Sequence, residues 1–293
     1  MMKRLTVIVF GLVFAMPLMA TEVDRILDAA PDGEVDVSNI DGAITLVGWS
    51  RDQVEVTGTL GRNVKELVFE RDGDNVTIQV KVPRKSSRGS DADLTIKVPK
   101  NSSIDVSGVS ADISVEGVRG VQRLQTVSGD VETESFGNDV SAESVSGDVG
   151  VEGDKSDTEI NLGTVSGDVA LAGGAGVVRA GSVSGDVVID EGAFSRAELG
   201  TVNGNVIFRA GLRKDGRFSA ETVNGDMDVE FAGGVSARIE VETFNGSIRN
   251  CFGPEAQRTS KYTPGLELSF TEGSGDGRVE ISTMNGDVSL CKK

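Results

Sequence analysis

Apolar and polar residues alternate along most of this chain, and from about residue 106 the alternation falls into units of about 20 residues. Each unit carries the pattern Thr or Ser, apolar, Ser or Asn, Gly, polar, apolar. It reads TVSGDV from Thr126, SVSGDV from Ser144, TVSGDV from Thr164 and SVSGDV from Ser182, then TVNGNV from Thr201, TVNGDM from Thr222, TFNGSI from Thr243 and TMNGDV from Thr283. The central glycines are Gly129, Gly147, Gly167, Gly185, Gly204, Gly225, Gly246 and Gly286, spaced 18, 20, 18, 19, 21, 21 and 40 residues, the last about two periods. Weaker copies are GVSADI from Gly108 and NIDGAI from Asn39. Repeats of this length are too small to fold singly and bury their apolar edges on one another.

The phase of each repeat is legible. Residues two and four after the glycine are apolar, as in Val149 and Val151 or Val187 and Ile189. So, mostly, are those five and seven before it, as in Ile160 and Leu162. Each period therefore predicts two half-buried strands meeting at the Ser/Asn–Gly corner. Asn–Gly is also a strong hairpin signal, but an antiparallel meander would leave one long apolar face with no helix to cover it. Stacking one repeat on the next places Thr126, Ser144, Thr164 and their equivalents in one column, with small side chains in a narrow interior. The expected fold is thus an all-β, single-stranded β-solenoid (β-helix) of 18–21-residue coils.

The organisation expected along the chain has four parts. Residues 1–20 read as a secretory signal peptide: Lys3 and Arg4, then an apolar run too short to span a membrane comfortably, with cleavage between Ala20 and Thr21. Residues 21–105 hold irregular β coils and a cap, with strand patterns near 34–37, 43–47, 53–60, 75–82 and 94–98 and a polar loop at 83–93. Residues 106–250 are the regular repeats, and 251–293 hold an insertion and a last coil. No second apolar stretch of about 18 residues follows the leader, so the expected product is exported, to the periplasm or the cell surface.

The chain resembles the bacterial putative-adhesin family of exported β-strand-repeat proteins. The resemblance is carried by NIDGAITLVGW, DADLTIKVPKNSSIDV, the TVSGDV and TVNGDM repeats and the closing RVEISTMNGDVSL. It implies a right-handed β-solenoid in the cell envelope, and no catalytic residues to carry over.

Composition narrows the function further. A net charge of −17 excludes a non-specific nucleic-acid binder. With no histidine and no lysine recurring beside the corner serines, a nucleophilic site has no base. The acids after the glycines, Asp130, Asp148, Asp168, Asp186, Asp226 and Asp287, form a column that reads as turn residues bonded to backbone N–H groups. A calcium-stabilised rod is the alternative, weakened by Asn205 and Ser247, which interrupt the column. A glycan-binding or glycan-cleaving surface would need aromatic platforms beside paired acids, and only Trp49 and Tyr262 are candidates beside the phenylalanines. No catalytic, cofactor or metal site is expected. Cys251 and Cys291 each stand five residues after a repeat glycine. They can bridge if their coils are neighbours, but not if a full coil separates them, and an oxidising compartment favours the bond. The function expected is a non-catalytic envelope scaffold whose partner is a protein or surface of the envelope.

Overall fold

The structure, a computed structural model, describes residues 21–83 and 89–293. The apolar leader and the basic loop residues Arg84, Lys85 and Arg88 fall outside the described residues, and with them the expected cleavage after Ala20.

Alternating side chains take opposite faces of a strand, and burial follows the phase read from the repeats. Val131, Val149, Val169, Val187, Val206 and Met227, two residues after their corners, are buried, whereas Val188 and Ile207 beside them are half-exposed. Ile248 is half-buried, because it lies in the outermost layer. Equivalent residues pair in parallel and in register: Val140 lies between Gln122 and Ile160, and Val149 lies between Val131 and Val169. This gives two parallel ladders, one before the corner and one after it, facing each other across a single core.

The expected single-stranded solenoid is nonetheless corrected, because the pairing closes on itself. From strand Ser103–Glu116 it runs through Gln122–Ser128, Val140–Ser146 and Asp157–Gly163 to Val169–Gly181. It returns through Val149–Gly153 and Val131–Ser135 to Ser103–Glu116. Seven parallel strands thus form a closed ring, with further strands outside it. The closure comes from long strands that do not break where the sequence suggested a corner or junction. Ser103–Glu116 stays bonded without a break across its corner at Ala111, and Val169–Gly181 across the turn at Gly173, where φ is +75°, so each bonds in both ladders.

Stacking order also departs from chain order at both ends. Named by their corner residues, the layers run Ala92, Gly42, Ala111, Gly129, Gly147, Gly167, Gly185, Gly204, Gly225, Gly286, Gly246. Strand Glu34–Trp49 is inserted between layers that follow it in sequence, and the last layer, Gly286, is inserted between Gly225 and Gly246. Antiparallel strands cover the ends. Gln53–Leu60 pairs with Ala92–Pro99, Thr21–Asp28 pairs with Gln53–Leu60, and Leu266–Glu272 pairs with Ala237–Asn245. The 40-residue interval between the last two glycines therefore holds a hairpin that covers the end of the stack, and no extra parallel layer lies between the two. That makes the two cysteine-bearing layers neighbours, and Cys251 is bonded to Cys291 with Cα atoms 4.8 Å apart.

The interior is not uniformly narrow. Phe194, Phe208, Phe218 and Phe231 are fully buried, with neighbouring ring centroids 4.7–6.1 Å apart. They occupy the Gly185, Gly204 and Gly225 layers, where the repeats lengthen and the register shifts between Asp190 and Ala193 and between Phe194 and Arg196. The longer turns make room for the rings.

Two predictions follow from this packing. Val187→Asp buries an unpaired charge and is expected to cost several kcal/mol, about 3–5, whereas Val188→Asp is expected to be near neutral; denaturant unfolding of both variants checks the phase. The exported, unreduced protein is expected to show no alkylatable thiol by mass spectrometry. Cys291→Ser removes a closure worth about 3–4 kcal/mol on chain-entropy grounds, and hydrogen exchange is expected to quicken first at Ile248–Asn250, which pairs on one side only.

Candidate binding surface

The corner is where the two ladders meet, and three columns of polar groups hold it. The first faces inward, three residues before the glycine. Here each hydroxyl donates to the carbonyl oxygen of the corner residue one layer away: Ser144 to Gly129 at 3.0 Å, Thr164 to Gly147, Ser182 to Gly167 and Thr201 to Gly185 each at 2.9 Å. Thr243 does the same for Gly286. In the Gly42 layer buried Asn39 takes the role, its amide donating to Ala92 O at 2.8 Å. The recurrence of Thr or Ser at an inward position was the visible signal for this contact, but sequence reasoning assigned it no partner.

The second column is the acids. Asp130 Oδ1 accepts the N–H of Asp148 at 2.9 Å, Asp148 that of Asp168 at 2.8 Å, and Asp168 that of Asp186 at 2.8 Å. The relay passes through Asn205, whose Oδ1 accepts from Asp226 N at 2.9 Å, and Asp226 accepts from Asp287 at 2.8 Å. Ser247 ends it by donating its N–H to Asp287 at 2.8 Å. Each acid therefore spends one oxygen on the backbone of the next layer, the hydrogen-bonding role read for it in the sequence. Among the described residues, no three Cys, Asp or Glu side chains are gathered as metal ligands.

The third column is the amides. Asn224 donates to Asn203 at 3.0 Å, Asn285 to Asn224 at 2.9 Å and Asn245 to Asn285 at 2.9 Å. The repeat glycines make all this possible: a Cβ on Gly185 would collide with the carbonyl oxygen of Gly167. Close backbone approach is the requirement shared by these corners; Gly42, with φ +109°, adds a backbone conformation that favours glycine.

One column has no inward partner. Two residues before each corner, Ile40, Val109, Val127, Val145, Val165, Val183, Val202, Val223, Met284 and Phe244 are exposed, each by 40–56%. The register sets them in ten successive layers. At about 4.8 Å per layer they form a line of about 43 Å. At the Phe244 end the line runs into a groove of about 350 Å³, walled by Val223, Phe244, Leu266 and Met284. Sequence reasoning passed over this stripe because it looked for inward apolar positions; the signal was an apolar residue at a position whose two neighbours in phase face inward and outward. The two aromatic candidates stand apart from it. Trp49 donates its indole N–H to Gln53 O at 2.7 Å and lies between Arg51 and Lys97, at the Ala92 end of the stack. Tyr262, 89% exposed, is in the hairpin at the opposite end, so the two share no groove.

Residues 33–291 match the family model described as Toastrack DUF4097. The chain belongs to this family. The solved structures similar to it include a putative adhesin from Bacteroides fragilis NCTC 9343, at 12% identity and TM-score 0.45, covering 92% of this chain and 97% of that one. Another is a putative adhesin from Parabacteroides distasonis ATCC 8503, at 12% identity and TM-score 0.44, with coverage of 92% and 97%. A third, from the same Parabacteroides strain, is a putative lipid binding protein at 13% identity and TM-score 0.38, covering 93% and 96%. No curated protein matches the chain. The putative-adhesin resemblance read from the repeats therefore stands. The Toastrack match spans both the regular repeats and the inserted layers at either end, so the stripe and its three polar columns lie wholly within the family's region.

The polar columns of this Toastrack chain can be tested without knowing a ligand. Asp168→Asn keeps an acceptor in place, as Asn205 already does in its own layer, and is expected to leave stability nearly unchanged. Asp168→Ala removes the acceptor of Asp186 N and is expected to cost about 1 kcal/mol, measured by urea unfolding.

Proposed function

We propose that this protein is a non-catalytic, exported envelope protein that holds a protein partner along its exposed apolar stripe. The observation that carries this reading is the stripe itself. Contiguous apolar surface rimmed by polar groups marks interaction sites. Strand propensity does not account for it, since threonine has the same β-branching and remains soluble, and the chain uses outward threonine elsewhere, at Thr45 and Thr95. The large residues gather at one end, where Met284, Phe244 and Leu266 flank a groove. Such a cluster supplies the anchor on which interfaces concentrate their energy.

Export is supported by the basic-then-apolar leader and by the Cys251–Cys291 bond, which persists in oxidising compartments. A non-catalytic role is supported by the use to which the corner asparagines and acids are put. The acids bond to the backbone of the next layer and the asparagines to one another in a repeating pattern, while the corner serines have no histidine in the chain to act as their base.

Cross-linking in intact cells tests the reading. The protein recovered from the envelope fraction is expected to begin at Thr21 and to carry one reproducible cross-linked partner. The variant Val145→Ser/Val165→Ser/Val183→Ser is expected to lose that partner while keeping its circular dichroism and unfolding midpoint. A folded variant that retains the partner would remove the stripe from the function.

A further inference from the structure

We infer that the partner segment held by the stripe is basic and amphipathic: a row of apolar side chains bordered by Lys or Arg. This rests on the stripe being the binding surface and names what it takes. The charge on either side of the stripe carries the argument. In each of its ten layers three outward columns border the apolar residue: the residue two before it, the one after it and the one three after it. Together these columns hold eleven acids, namely Glu143, Glu221 and Glu242, then Asp41, and then the seven aspartates at 112, 130, 148, 168, 186, 226 and 287. They hold no Lys or Arg at all. Cations appear only one column further out, at Arg123, Arg179 and Arg249; Arg179 is already engaged by Glu159 at 2.5 Å and Glu198 at 3.1 Å, and Arg249 donates to Ser289 at 3.0 Å.

The hydrogen-bond pattern makes this acidity informative. The relay along the corner needs only a side-chain acceptor, and Asn205 shows that an uncharged amide serves, accepting from Asp226 N at 2.9 Å. Aspartate in seven other layers therefore adds charge that the fold does not require. Stacked at about 4.8 Å, these charges repel one another, and a cationic partner would relieve that repulsion. A second copy of the chain would not, because it would set acid against acid. An anionic lipid surface is disfavoured for the same reason.

Calorimetric titration of the purified protein with synthetic peptides tests the inference. The probe is a leucine–lysine peptide of about 28 residues with an apolar stripe edged by lysine, which as a helix spans about 42 Å. Its controls carry glutamate for lysine, or serine for leucine. The leucine–lysine peptide is expected to bind and both controls to fail. Asp148→Asn/Asp168→Asn/Asp186→Asn is expected to weaken binding about tenfold, as three exposed ion pairs would. Glu116→Gln/Glu132→Gln/Glu152→Gln, which neutralises as many acids in a groove on the neighbouring face, is expected to leave it unchanged. Equal weakening by the two triple variants would reduce the effect to net charge and overturn the inference. So would equal binding of the glutamate peptide, stripe-dependent uptake by phosphatidylglycerol vesicles in place of the peptide, or stripe-dependent self-association in sedimentation. If the Val→Ser variant loses its cellular partner while the Asp→Asn variant retains both partner and peptide, the stripe binds a partner that is not basic. If the Val→Ser variant retains both, the stripe reading fails as well.

Discussion

Everything in this molecule depends on how closely the backbone of one layer can approach the next at the corner. At these corners a side chain would strike a carbonyl oxygen of the preceding layer, and the corner is glycine in nine of the eleven layers, alanine at 92 and 111. Close approach creates a second problem, because a corner interrupts the regular ladder and threatens to leave N–H and C=O groups without partners. The chain meets it from both sides. A hydroxyl donates inward to the corner carbonyl, and a carboxylate accepts the N–H of the residue after the next corner. The small set of residue types seen in every repeat is the set that performs these two tasks at close range.

Because those tasks are complete, the residue two before the corner is free of them. Its side chain takes no part in those bonds, is left 40–56% exposed, and stands in the same place in ten layers. A position with no structural duty that is nonetheless apolar throughout is the best guide to what the surface is for. The neighbouring acids tell the same story: the fold needs an acceptor, and the chain supplies a charge.

The ends of a stacked sheet are its weak points, since an unpaired edge can recruit other strands. Here each end is built from a layer that has been threaded back between two others and then covered by antiparallel strands. Threading back ties residues far apart in sequence into one end layer, so neither end can peel away a repeat at a time. The disulfide adds a covalent tie at the Gly246 end, where the strand Ile248–Asn250 is three residues long and pairs on one side only.

The local part of this architecture was legible in the sequence because its causes are local. Alternation determined which face of each strand is buried, down to Val187 inward and Val188 outward, and the glycine period determined which residues become lateral neighbours. The cysteine phase limited the bridge to one condition. The sequence could not say whether that condition was met, because it depended on where the 252–277 insertion lies. Closure of the seven-strand ring was decided by whether the ladder bonds continue across the corner at Ala111 and across the turn at Gly173, where φ is +75°, and that depends on the neighbouring ladders as well as on those residues. The threading of the first and last layers was decided by long-range pairing, which leaves no periodic trace. The stripe lay between these cases: its residues were visible in every copy of the repeat, but only the stacked ladders showed that they face outward, in line, with acids and no cations beside them.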